Sequence, residues 1–205
     1  MSLKKASLFI IVILLIDQIS KIYVKTHFQL HDSVTVFSWF KIYFVENDGM
    51  AWGTKLSDII PFISDRTAKF SLTLFRVIAI FGIGYWLVSS IKKEASKVLV
   101  LALVFIFSGA MGNIIDSVFY GISFSDSYGQ VAQFLPKDGG YDSMLYGNVV
   151  DMLYLPIWQG NLPEWMPFYG GKNFVFFEPV FNIADVAISI GFGILIFFNK
   201  KAFPK

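Results

Sequence analysis

Val98-Leu99-Val100-Leu101-Ala102-Leu103-Val104-Phe105-Ile106-Phe107-Ser108-Gly109-Ala110-Met111-Gly112-Asn113-Ile114-Ile115-Asp116 runs almost without a polar side chain until its last turn. With the apolar residues up to 119 it is long enough to cross a hydrocarbon core, which takes roughly 20 residues of helix. Similar stretches lie near 7–24, 70–91 and 180–198, so four transmembrane helices are expected. Composition agrees: 16% of the 205 residues are charged and 55% hydrophobic, where a soluble domain carries about 25% charged residues. Lysines cluster at 4/5, 92/93/97 and 200/201/205, at alternate ends of these helices. The positive-inside rule then puts both termini in the cytoplasm. The first helix is expected to be retained and not cleaved as a signal peptide, because Asp17 interrupts it and no small-x-small site follows.

Two extracytoplasmic segments follow, near 25–69 and 117–179. The first holds the alternating stretches Val34-Thr35-Val36-Phe37 and Lys41-Ile42-Tyr43-Phe44-Val45, then the turn signal Asn47-Asp48-Gly49. A small sheet is expected there. The second opens Gly/Ser/Asp-rich and continues through Trp158, Trp165, Phe168 and Tyr169, aromatics suited to a headgroup region. The fold class is thus a mainly α membrane protein, a single domain over 1–205 with four transmembrane helices and a small extracytoplasmic β-rich cap. A net charge of +2 gives no reason to expect nucleic acid, and without cysteine there is no disulfide or thiolate chemistry.

Acids inside such a chain are costly, and their placement is informative. Asp17 and Lys21 share a helix face at i, i+4, acid first. Asn113 and Asp116 lie near the outer end of the third helix, and Asn182 and Asp185 begin the fourth. A rise of about 1.5 Å per residue brings these groups to one level, to which the intervening loop delivers Asp151. Two carboxylates meeting there would share a proton, and one could deprotonate water while the other hydrogen-bonds an amide carbonyl. No metal or other cofactor is required. Other readings remain open: an ion or proton path through a small transporter, or a scaffold without chemistry. Asp17–Lys21 could serve packing alone, Asp116 could orient loop amides, and Asn47 could supply turn chemistry. Arg76 could snorkel to the headgroups. His27 and His31 have i, i+4 spacing but no further ligand beside them, so no metal site is expected.

Five ordered motifs also carry a family resemblance. Asp17-Gln18-Ile19-Ser20-Lys21, Glu46-Asn47-Asp48-Gly49-Met50-Ala51-Trp52-Gly53, Gly112-Asn113-Ile114-Ile115-Asp116, Gly147-Asn148-Val149-Val150-Asp151-Met152 and Phe181-Asn182-Ile183-Ala184-Asp185 together resemble bacterial lipoprotein signal peptidase, signal peptidase II. The resemblance implies a four-helix aspartyl peptidase of the bacterial cytoplasmic (inner) membrane, its active site toward the outer face. The substrates would be diacylglyceryl-modified prolipoproteins, cut before the lipidated cysteine, with membrane lipids as the other partners. We expect a monomer. By motif, Asp151 and Asp185 match the catalytic pair, while Asp17, Lys21, Asn47, Asn113, Asp116 and Asn182 match supporting or substrate-orienting positions. Two departures stand out. Ser117 follows Asp116 where the family commonly has Arg, which leaves Arg76 as a substitute guanidinium, and the stretch from Asp116 to Asp151 is longer than in compact members.

Overall fold

The computed structural model describes residues 1–47 and 63–204. Helix α1 spans Leu3–His27, α2 Asp65–Lys92, α3 Lys97–Ile115 and α4 Ile183–Phe197. Each starts where a polar side chain can take up an orphan amide: Ser2, Ser64, Ser96 and Asn182 accept from the backbone N–H of Lys5, Thr67, Val98 and Asp185. Beyond Ile115 the chain continues through a π-helical turn, Asp116–Tyr120, and one helical turn, Gly121–Ser123.

Among the described residues three helices are long and apolar enough to cross a membrane, Leu3–His27, Asp65–Lys92 and Lys97–Ser123. The fourth expected stretch, 180–198, is shorter than anticipated. Val180–Phe181 leaves it to pair with a strand, and Asn182 caps what remains. α4 therefore has 15 residues, or about 22 Å of helix, before a last helical turn at Asn199–Ala202.

α3 is the hub, packed against α1, α2 and α4. Val100, Ala102, Leu103 and Val104 on it are wholly buried, while Phe75, Ile78, Phe81 and Tyr85 on α2 lie exposed. An exposed stripe of that kind would be an aggregation hazard in water and is the ordinary lipid-facing surface of a membrane bundle. Close approach of α3 and α4 depends on glycine. A Cβ on Gly109 would stand 2.2 Å from the Ala184 carbonyl oxygen, and one on Gly112 would stand 2.6 Å from Asp17 Oδ2. Small residues at such crossings let backbones touch.

The cap is built on an antiparallel sheet of order β1-β2-β3-β6: Ser33–Phe37, Phe40–Asn47, Val149–Tyr154 and Val180–Phe181. β4 (Trp158–Asn161) and β5 (Asn173–Phe176) form a separate pair. The alternating stretches before residue 47 are strands, as their pattern implies. Asp151 is carried by a strand and not by a loop, set opposite Val45. Its neighbours Val149, Val150 and Met152 are buried, so the apolar run shows no alternation to betray it. Asn47 ends β2, and the rest of the expected turn, with the motif through Gly53, lies outside the described residues. Residues 124–147 fold back on the sheet, where Phe124 and Ala132 pack with Val24, Phe44, Tyr120, Val150 and Met152 in a second apolar core.

Gly109→Ala should force α3 from α4 and lower stability by about 1–3 kcal/mol, the usual cost of overpacking. Gly82→Ala, where a Cβ meets nothing within 4 Å, should be neutral or slightly stabilising. Thermal unfolding of both in detergent compares them directly.

Candidate active site

Lys21 lies at the centre of the polar level. Its ammonium is 3.0 Å from Asp17 Oδ2 and 2.8 Å from Asp116 Oδ2, and it donates to Asn113 Oδ1 at 2.9 Å. Asp17, Lys21 and Asp116 are at most 1% exposed. Two carboxylates facing one ammonium leave a surplus negative charge, and neighbouring donors offset it. Gln18 Nε2 donates to Asp17 Oδ2 and Asp116 Oδ1 at 3.1 and 2.9 Å. The Val150 amide donates to Asp116 Oδ2 at 3.2 Å and the Ala184 amide to Asp17 Oδ1 at 2.9 Å. Asp17 thereby satisfies an orphan amide at the start of α4 and ties α1 to it.

Asp151 and Asp185 sit beside this cluster and are joined to it by two asparagines. Asn113 Nδ2 donates to Asp185 Oδ1 at 2.9 Å. Asp185 Oδ2 accepts from the Asn182 amide at 3.1 Å, and Asn182 Oδ1 accepts from the Asp185 amide at 2.9 Å. That reciprocal capping box fixes both side chains on the first turn of α4. Asn182 Nδ2 has two protons and three oxygens within reach. Asp151 Oδ1 is nearest at 2.6 Å, with Asn113 Oδ1 at 3.1 Å and the Val150 carbonyl at 3.2 Å. Asn47 Nδ2 donates to Asp151 Oδ2 at 3.3 Å.

Asp151 is 4% exposed. Burial, reinforced by the charge of Asp185, pushes its carboxyl up to about 7, against the hydrogen bonds from Asn47 and Asn182 and the ammonium of Lys21. A carboxyl next to a second one and titrating near neutrality is suited to proton transfer.

Every residue singled out in the sequence for this level therefore reaches it: Asp17 and Lys21 from the second half of α1, Asn113, Asp116, Asn182 and Asp185 from the facing ends of α3 and α4, Asn47 and Asp151 from the sheet. The sequence reading passed over Gln18, although a polar residue beside Asp17 in an apolar run was a usable signal. It also missed Tyr120, whose hydroxyl donates to Gln18 Oε1 at 3.1 Å. The backbone amides of Val150 and Ala184 leave no trace in sequence. Arg76 donates through Nη1 to Ser117 Oγ at 3.5 Å and interacts electrostatically with Asp185 and Asp151. Its head faces Ser117 of the π-helical turn and the two aspartates. His27 ends α1, and His31 lies past it at a φ of 72°, so the two share no helical face.

Residues 9–199 match the family model described as signal peptidase (SPase) II. The chain is 45% identical over 194 residues to the lipoprotein signal peptidase of Porphyromonas gingivalis, covering 94% of this chain and 81% of that one. The chain belongs to the signal peptidase II family. A second relative, the lipoprotein signal peptidase of Amoebophilus asiaticus, is 36% identical over 192 residues, 91% of this chain and 73% of that one. Among solved structures, one described as a bacterial membrane enzyme determined by the in meso method at 1.9 Å resolution has the same fold, with a TM-score of 0.62 at 22% identity over 98% of this chain and 96% of that one. Motifs spread from Asp17 to Asp185 thus belong to one family and meet at one level.

Infrared difference spectra against pH should show a protonated carboxyl that persists to near neutrality and is lost as pH rises through about 7. The band should vanish in Asp151→Asn. Its survival in that variant would assign the proton elsewhere.

Proposed function

We propose that this signal peptidase II family member is an aspartic endopeptidase of the inner membrane that removes the signal peptide from diacylglyceryl-modified prolipoproteins, cutting before the lipidated cysteine, with Asp151 and Asp185 as its catalytic pair. The observation that carries the assignment of residues is the pair of asparagine amides, Asn113 to Asp185 and Asn182 to Asp151, which hold two interacting carboxyls, one buried and one half-buried. Asp185 takes a proton from water as the oxygen attacks the scissile carbonyl. Asp151 hydrogen-bonds the carbonyl oxygen and hands over its proton as the charge develops. Collapse of the tetrahedral intermediate breaks the C–N bond, the leaving nitrogen takes the proton held by Asp185, and Asp151 recovers its own from the intermediate. Lys21, Asp17 and Asp116 form the fixed base on which the asparagines stand.

The same reading takes the molecule as one monomeric domain that spans the membrane four times. Both termini are cytoplasmic, and the sheet and the site face outward. The lysine clusters support this, as does the gathering of polar groups at the C-terminal end of α3 and the N-terminal end of α4. The transporter reading has no such support, because the acids collect at one level and do not descend through the bundle.

Asp151→Asn and Asp185→Asn should each lower turnover of a diacylated prolipoprotein more than about a hundredfold. The double variant should be little worse, since the pair acts as a unit. In the unmodified enzyme, rate against pH should be bell-shaped: the acid limb marks loss of the ionised partner, and the basic limb, near 7, marks loss of the proton on Asp151. Purified protein with diacylated and non-acylated forms of one prolipoprotein, read by product mass, tests reaction, cut site and lipid requirement together.

Arg76 is taken to hold substrate from the Ser117 side. Arg76→Lys should then raise the apparent KM or lower kcat several-fold, because an ammonium cannot reproduce a planar fork of donors. Adding Ser117→Arg should restore part of the loss. Unaltered kinetics in Arg76→Lys would leave that guanidinium with a packing role.

A further inference from the structure

A second buried polar cluster lies behind the β2/β3 pair and has no part in the chemistry above. Residues opposite each other in an antiparallel pair share a face, and side chains alternate along a strand. Val45, Asn47 and Asp151 therefore lie on the face turned to Asp185, and Glu46, set opposite Val150, lies on the other face. On that far side Lys25 is fully buried and forms an ion pair with Glu46. Its ammonium donates to Ser127 Oγ at 3.0 Å and faces the rings of Tyr141, Phe124 and Phe44 at 4.9, 5.5 and 5.9 Å. Ser127 Oγ donates in turn to Glu46 Oε1 at 2.7 Å. The other oxygen of Glu46 accepts from Asn148 Nδ2 at 2.9 Å. Asn148 Oδ1 accepts from Lys69 of α2, and the Asn148 amide donates to the Tyr141 hydroxyl at 2.6 Å.

A buried lysine costs several kcal/mol unless it is paired and caged, and here the cage joins five parts of the chain: the end of α1, β2, the 124–147 loop, the start of β3 and α2. Two of its members lie close in sequence to Asp151 or to its Asn47 donor. Glu46 precedes Asn47, and Asn148 lies three residues before Asp151. The Asn47 to Asp151 bond, at 3.3 Å, is at the long end for N–H···O, which spans about 2.7–3.2 Å, so it depends on how closely β2 and β3 are held.

We propose that Lys25, Glu46 and Asn148 are positioning residues for Asp151, holding β2 and β3 from behind so that the Asn47 amide reaches its carboxylate. This rests on Asp151 being one of the catalytic pair. Among the described residues, the charged and titratable groups around Asp151 are Asp185 from α4, Lys21 from α1, Arg76 from α2 and Asp116 past the end of α3. None of them belongs to the far cluster, so the cluster acts on Asp151 through strand placement and not through its own charge.

The test uses full-length protein and pH–rate profiles of prolipoprotein cleavage. Removing Lys25 or Glu46 alone would strand a buried charge, so both are replaced together in Lys25→Met/Glu46→Gln, with Asn148→Ala as an independent variant should the first fail to fold. Each should lower kcat about ten-fold or more, as misplacing a reacting group does, with KM nearly unchanged. The Asn47 bond favours the ionised form of Asp151; losing it leaves the proton in place to higher pH. The basic limb should therefore move upward, as it should in Asn47→Ala. Combining Asn47→Ala with either variant should add little further loss. An unmoved basic limb in the variants that fold, or losses that multiply in the combination, would overturn the proposal and leave the cluster a purely structural clamp. Full activity in Asp151→Asn would instead remove the functional reading on which it rests.

Discussion

Lys21 holds the polar level together because an ammonium can only donate. Placed among Asp17, Asp116 and Asn113 at 3.0, 2.8 and 2.9 Å, it obliges Asn113 to turn its carbonyl oxygen inward. The Asn113 amide nitrogen then has one direction left, toward Asp185. The same oxygen accepts from Asn182, whose amide reaches Asp151. The orientation of both aspartates is thus inherited, one hydrogen bond at a time, from a cation buried between two helices. A surface pair of the same composition would count for little. Here water is excluded, each member has a defined partner, and a missing one would leave a charge stranded.

Around that cluster the bundle and cap divide the work. α3 supplies an apolar core interrupted between its ends only by Ser108, which bonds back to the Val104 carbonyl, and α4 supplies a helix start. The orphan amides of that start do two jobs. Ala184 receives Asp17 from α1, and Asp185 and Asn182 cap each other. The sheet then brings Asp151 in from the side, set opposite Val45 and packed on its own apolar core. Helix ends and strand positions are stiffer supports than loops, which suits a site that must hold two carboxyls in a set orientation.

The sequence made the helices legible because long apolar runs have few alternatives, and it made most of the site legible because polar residues are conspicuous inside them. Asp17 with Lys21, Asn113 with Asp116 and Asn182 with Asp185 follow from helical spacing alone. Other parts were hidden for physical reasons. β3 is buried around Asp151 and lacks alternation, so it read as loop. Val180–Phe181 is apolar whether it forms a strand or a helix turn, so its pattern predicts a longer fourth helix than the one that forms. Lys25 and Glu46 are 21 residues apart in different elements, and only the folded sheet brings them together. Arg76 has two readings in the sequence, an anchor or a substitute guanidinium, because its nearness to Ser117 of the π-helical turn exists only in the folded bundle.

Gly112 links packing to electrostatics in a way that constrains how this chain can vary. Its missing side chain leaves room for both Ala184 of α4 and Asp17 Oδ2 of α1. Steric fit and charge balance are therefore the same few atoms at that point. A single methyl group there would act as an electrical defect, pushing a carboxylate off its ammonium before it pushed two helices apart. Drift in volume along this seam is then barred even where hydrophobicity is unchanged, and the helix crossing cannot be retuned independently of the site it carries.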